Sequence, residues 1–204
     1  MLTLLIGTAA VLGLLAFFEP CTIATHTLFA VRTHQNVARQ RWQALVQLFM
    51  SRMTLLAGVF AAAAWLGLSS ISSAMAISML GGIGAVYLIT RKVYLPVPHL
   101  EFFRLLPGHA HWPQALKLGL TLPACTLPLV AVVGVLSALS QQPAAALLAG
   151  VIFGAMFSLP TLWDSLHGLD AAHRSFLGKA ASVTPYITAL LLWSAAFLIW
   201  KTGL

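Results

Sequence analysis

The sequence predicts an all-α membrane protein with six transmembrane helices, arranged as two inverted three-helix repeats. Three observations lead there. Hydrophobic residues make up 60% of the 204 residues and charged residues only 7%, against roughly 25% charged in a soluble domain. The apolar residues fall in runs near the ~20 that a helix needs to cross a ~30 Å hydrocarbon core. The basic residues gather in alternate connections between those runs. With a mean hydropathy of +0.93, too few charges remain to coat a globule. That excludes a soluble enzyme, a disordered chain and a nucleic-acid binder. The net charge of +7 is a topology signal, because Lys and Arg sit between apolar runs and form no single phosphate-binding patch. The expected environment is the lipid bilayer.

The first span is expected at Leu2–Val31. Met1 to Phe18 could pass for a secretory signal, but no Lys or Arg precedes it. Glu19-Pro20 also stands before Cys21, where cleavage needs small residues. It is read as a span. Thirty helical residues would run ~45 Å, too long without strong tilt, and Pro20 removes a backbone donor two-thirds of the way along. A break is expected there. The second span is placed at Ala44–Leu68 and the third at Ile71–Ile89, where Gly81-Gly82-Ile83-Gly84 suits close helix packing. The fourth, Leu118–Leu139, has Pro123 and Pro128 flanking Cys125 and is expected to break as well. The fifth and sixth are placed at Ala144–Trp163 and Val183–Trp200. No stretch such as Leu55–Leu66 alternates as a transmembrane strand would. Trp42, Trp112, Trp163, Trp193 and Trp200 mostly fall near span ends, as interfacial anchors do.

The connections set orientation. Arg32, Arg39 and Arg41 lie in the first; Arg91, Lys92, Arg104 and Lys117 against Glu101 in the third; Arg174 and Lys179 in the fifth. The second (Ser69-Ser70) and fourth (Ser140 to Pro143) carry no charge. Positive connections stay cytoplasmic, so both termini are expected outside. The whole of 1–204 then forms one transmembrane domain. A first repeat covers about 1–90 and a second about 115–204, with the cytoplasmic connection of about 90–117 between them. Such inverted repeats place their sites near the midplane. Pro20-Cys21-Thr22-Ile23 and Ala124-Cys125-Thr126-Leu127 match weakly across the repeats, and each holds one of the two cysteines.

Depth brings those cysteines to similar heights. Cys21 lies eleven residues before Arg32, ~16 Å along a helix, and Cys125 eight beyond Lys117, ~12 Å. If spans 1 and 4 pack together, the pair can bond, given Cα atoms about 4.4–6.8 Å apart. A half-helix restarting at Pro20 would make Cys21 its second residue, where free N–H groups stabilise a thiolate. Thr22 and Thr126 could each donate a hydrogen bond nearby. The bland alternative stays open: buried cysteines are ordinarily small apolar fillers.

Six helices, two lone membrane cysteines in helices 1 and 4, and adjacent prolines resemble the CcdA group of thiol-disulfide transporters, whose core is shared by the membrane domain of DsbD. In sequence the resemblance rests on Glu19-Pro20-Cys21-Thr22 and Pro123-Ala124-Cys125-Thr126-Leu127-Pro128. Members tend to show Pro-Cys with another proline shortly after at both sites; here Ala24 replaces the proline after Cys21, and Ala124 separates Pro123 from Cys125. The resemblance implies a bacterial cytoplasmic (inner) membrane protein with a Cys21–Cys125 redox pair, supported by Glu19, Pro20, Thr22, Pro123, Thr126 and Pro128. Cytoplasmic thioredoxin would reduce the pair, which would then reduce an extracytoplasmic thioredoxin-like protein, as in cytochrome c biogenesis. No metal or other cofactor is implied. Thioredoxin near about −270 mV and an oxidising outer compartment suit that direction. With nothing soluble outside the six spans, the thioredoxin modules would be separate chains.

Other polar residues offer alternatives. Glu19 could accept a thiol proton or bind a cation, and with His26 could line the path of a small-solute or metal-cation transporter. His26 lies about 140° from Cys21 around a helix and fits a hydrogen-bonded bundle residue better than a ligand beside it. Thr25 shares the cysteine's face. Arg52, eight residues inside span 2, is expected to snorkel to the headgroups, or else to pair with Glu19. Either His99, His109 and His111 in the third connection or Asp164, His167, Asp170 and His173 in the fifth could suggest a metal site, but the latter step by three residues, drift 60° each and do not converge. Phe102-Phe103 and Leu105-Leu106 around Arg104 suggest an interfacial helix. A non-catalytic assembly subunit remains a third reading.

Overall fold

The computed structural model describes residues 2–66, 73–90 and 100–202. The Ser69-Ser70 connection, the start of span 3 at Ile71, and Arg91, Lys92 and His99 lie outside them. Helices dominate: α1 (Leu2–Phe17), α2 (Pro20–His34), α3 (Ala38–Trp65), α4 (Ser73–Thr90), α5 (Gln114–Gly119), α6 (Leu127–Ser140), α7 (Pro143–His167) and α8 (Ala171–Thr202).

The first expected span is broken where the proline requires it. α1 and α2 meet at an angle of 73°. Glu19 is extended at the joint (φ −66°, ψ 137°) and Pro20 opens α2, where its missing N–H costs no helical bond. Cys21 is therefore the second residue of a new helix.

The second break is wider than expected. α5 stops at Gly119, and the backbone then runs through β2 (Thr121–Leu122), Pro123 and a 3-10 turn at Ala124–Thr126 before α6 begins. Depth counted along a continuous helix from Lys117 does not apply here. The opened backbone finds partners in the third connection. β1 (Leu100–Glu101) pairs antiparallel with β2, Leu100 opposite Leu122 and Glu101 opposite Thr121, and the Phe102 N–H donates to the Leu120 carbonyl at 3.1 Å. The interfacial helix expected around Phe102–Leu106 is thus a short strand followed by a 3-10 turn, Phe102–Leu105. Helix is lost because the break's N–H and C=O groups need an edge to pair with.

Among the described residues, three helical segments are long and apolar enough to cross a bilayer alone: Ala38–Trp65, Pro143–His167 and Ser175–Lys201. The bent α1–α2 pair makes a fourth. The 14 residues of α6 make about 21 Å, short of the hydrocarbon thickness, and the described part of α4 has 18 residues. α8 starts twelve residues before the expected Val183, so the fifth connection shrinks from Asp164–Ser182 to Gly168–Asp170. The alanines at 171, 172, 180 and 181 favour helix and outweigh the polar residues between them.

α7 is the hub, packed on α1, α2, α3 and α6. Its small residues permit that. A Cβ on Gly150 would meet the Ala57 backbone at 2.5 Å, and one on Gly154 the Met53 Cα at 2.9 Å, so α3 crosses α7 backbone to backbone. The pairings are reciprocal between the chain halves. α1 and α2 pack on α7, α5 and α6 pack on α3, α3 packs on α7, and α4 packs on α8. Gly84 admits Trp193, whose Nε1 donates to the Gly81 carbonyl at 3.3 Å. Trp42, Trp163, Trp193 and Trp200 present exposed faces.

Candidate functional site

Cys21 and Cys125 are joined as a disulfide across 104 residues, with Cα atoms 6.9 Å apart. Each sits at the break that its prolines create, and each is partly exposed. The two ends are not equivalent. Cys21 lies in the first turn of α2, whereas Cys125 lies in the 3-10 turn two residues before α6. Pro123 precedes that turn and Pro128 is in the first turn of α6; both are buried.

Thr22 works crosswise. The Thr22 hydroxyl faces Cys125 Sγ at 3.7 Å. Thr126 does not serve a sulfur, contrary to expectation, because its hydroxyl donates to the Pro123 carbonyl at 2.8 Å and closes the 3-10 turn. Thr25 shares its hydroxyl between the Cys21 and Thr22 carbonyls at 3.1 and 3.0 Å.

Glu19 is 3% exposed although it precedes a helix. At that position a carboxylate ordinarily caps the helix N–H groups, but Glu19 makes no side-chain cap. It faces Tyr87 instead, and its Oε1 is buried with no hydrogen-bond partner among the described residues. The α2 N-terminus is left uncapped beside Cys21. Tyr87, 1% exposed, also lies 3.4 Å from the Cys125 carbonyl. Tyr87 carries no signal of this role in the sequence. A tyrosine near a span end looks like an interfacial anchor, and only its burial by neighbouring helices distinguishes it.

Arg52 neither snorkels nor pairs with Glu19. It is fully buried. Its guanidinium donates to the Leu118 carbonyl at 2.9 Å and to Ser158 Oγ at 3.4 Å, and lies 4.2 Å over the Phe157 ring. The Leu118 carbonyl belongs to the last turn of α5, so Arg52 ties α3 to the α5 side of the break. His26, also fully buried, stacks on Phe157 and bonds Thr161 Oγ1 through Nδ1 at 2.6 Å. Glu19 and His26 thus have separate partners. Among the described residues no three His, Cys, Asp or Glu gather as metal ligands.

No family model, curated protein or solved structure matches the chain.

Proposed function

We propose that this protein is a membrane thiol-disulfide oxidoreductase that carries reducing equivalents across a bacterial cytoplasmic membrane, as its resemblance to the CcdA group implies. One observation carries the proposal. The chain's only two cysteines, far apart in sequence, meet as a disulfide at two proline-made breaks inside an apolar helical bundle. A structural filler would need neither the breaks nor the pairing. The six-span, inverted-repeat architecture belongs to the same proposal. Its support is the reciprocal packing of the chain halves and the matching order of break, cysteine and helix in each. The positive-inside distribution supports an orientation with both termini outside.

In the cycle, a thiolate of cytoplasmic thioredoxin attacks one sulfur of the pair and forms a mixed disulfide. The donor's second thiol resolves it, leaving Cys21 and Cys125 as thiols and the donor oxidised. The dithiol then reduces an extracytoplasmic thioredoxin-like disulfide by the same steps in reverse roles. The uncapped α2 N-terminus favours negative charge at Cys21, and Thr22 can donate to Cys125. Cytochrome c maturation is one process that consumes such reducing equivalents.

The test is to trap the intermediate. Cys21→Ser and Cys125→Ser variants should each abolish reduction of an outer thioredoxin-like protein, and one of them should accumulate a mixed disulfide with thioredoxin. If both serine variants still transfer electrons, the proposal fails. A solute transporter working through Glu19 and His26 would keep its flux in those variants.

A further inference from the structure

We infer that the α2–α7 interface is a proton path joining the disulfide to the basic end of the bundle, and that it delivers the proton which the Cys125 sulfur needs when the pair is reduced. The inference rests on the redox reading above and adds a route to it.

The interface is polar where a membrane bundle has reason to be apolar. On α2, Thr22 and His26 stand one helical turn apart on the buried face, and both are fully buried. On α7, Thr161, Asp164 and Ser165 are at most 1% exposed. The contacts run in order. Cys125 Sγ faces Thr22 Oγ1 at 3.7 Å, and His26 Nδ1 meets Thr161 Oγ1 at 2.6 Å. One turn further along α7, the Ser165 carbonyl meets His34 Nδ1 at 2.9 Å, and Asp164 Oδ1 meets His173 Nε2 at 2.8 Å. His34 is exposed and the His173 side chain is 28% exposed, so the path reaches the surface beside Arg32.

Buried polar atoms are nearly always satisfied, and exceptions call for an explanation. Here they mark the gaps. His26 Nε2, Ser165 Oγ and Asp164 Oδ2 are buried with no hydrogen-bond partner among the described residues. Each offers a position for a bridging water between the links that side chains already make. The groups facing His26 are Thr161 and Phe157 from α7, Phe17 from α1, and Arg52 from α3 across the same Phe157 ring. Those facing Asp164 and Ser165 are His173 from α8 and His34 from α2.

The chemistry balances without another reactant. A donor thiol loses its proton at the basic end, and its thiolate attacks Cys21 Sγ. The S–S bond breaks, and its electron pair leaves on Cys125 Sγ beside Thr22. That thiolate, partly exposed and facing Thr22, takes one proton through the path. The donor's second thiol then attacks the mixed disulfide, and its proton passes to Cys21 as the oxidised donor departs. Two thiol protons leave the donor and two are gained by the pair.

A path changes rates and leaves equilibria alone, which separates it from packing. The purified full chain is reduced with dithiothreitol and reoxidised with its oxidised form between pH 6 and 9, in H2O and D2O. His26→Phe keeps a ring against Phe157 but removes both nitrogens, and Thr161→Val keeps the shape and removes the hydroxyl. Both should slow reduction and reoxidation by the same factor, at least tenfold for His26→Phe, with a larger D2O effect and an unchanged midpoint in the dithiothreitol buffer. Unchanged rates in either correctly folded variant would overturn the inference, as would a shifted midpoint with an unchanged pH profile. Thr161→Val decides if His26→Phe fails to fold. A wild-type disulfide that dithiothreitol cannot reduce at any pH would overturn the redox reading itself, which the variants' rates do not bear on.

Discussion

At the scale of single residues, the disulfide's surroundings are asymmetric, and that asymmetry has measurable consequences. Thr22 faces the sulfur of Cys125 and not that of its neighbour Cys21. A hydrogen bond of this kind is worth about 1 kcal/mol. In the reduced protein, Thr22→Val should therefore slow maleimide labelling of Cys125 roughly fivefold and leave Cys21 nearly unaffected. Mass spectrometry of the two labelled peptides reads both rates. Arg52 makes a second case. Lysine would keep a buried charge there, but cannot reach the Leu118 carbonyl and Ser158 together while lying flat on Phe157. Arg52→Lys should lose about 2 kcal/mol of stability, measured by unfolding in detergent. An unaltered midpoint of unfolding would show that the guanidinium does not tie α3 to the break. Neither role was legible beforehand. Cys21, Cys125 and their prolines could be read because they are rare and punctuate apolar runs. The partners of Thr22, Arg52 and Tyr87 come from distant segments of the chain, and spacing along one helix carries no information about them.

At the scale of elements, helices interrupted by proline and helices brought close by glycine do different work. Pro20 fixes where α2 begins, and that much follows from its covalent structure. The width of the second break does not follow from Pro123 and Pro128. It depends on β1 arriving from the third connection to pair with β2. Shortening the connection so that Leu100 and Glu101 are lost should leave the Thr121–Leu122 backbone without partners. Hydrogen exchange at those amides should then rise by orders of magnitude, with exchange in α7 little changed. α7 depends on its glycines in another way. With a Cβ at position 150 falling 2.5 Å from the Ala57 backbone, Gly150→Val must push α3 and α7 apart. It should destabilise the bundle by about 1–3 kcal/mol. Gly58, which has open space around it, is the control position and should tolerate alanine far better.

At the scale of the whole molecule, the proposed orientation rests on the charge pattern. Arg32 lies in the last turn of α2, Arg39 and Arg41 at the start of α3, and Lys117 in α5. Arg32 bonds Gln114 at 3.5 Å and Lys117 donates to the Ala110 carbonyl at 3.0 Å. The α6–α7 turn at Gln141, left-handed with φ 51°, carries no charge. In a background with both native cysteines replaced, a cysteine at Asn36 should react only with reagents supplied from the cytoplasm, and one at Gln141 only from outside. Labelling of both positions from the same side would refute the proposed topology.

Sequence by itself determined the class of the molecule, the approximate position of its apolar segments, the two breaks and the two residues on which any redox chemistry must rest. All of these are local: a hydrocarbon core selects apolar length, and proline interrupts a helix wherever it falls. Tertiary structure alone decided that the cysteines meet as a pair, that Arg52 turns inward, that Glu19 finds Tyr87 instead of capping its helix, and that a polar interface runs from the disulfide towards the basic end. Each of those depends on atoms separated by tens of residues. A buried polar group is stable only with the partner that folding brings to it, so its role is fixed by packing and not by its neighbours in the chain.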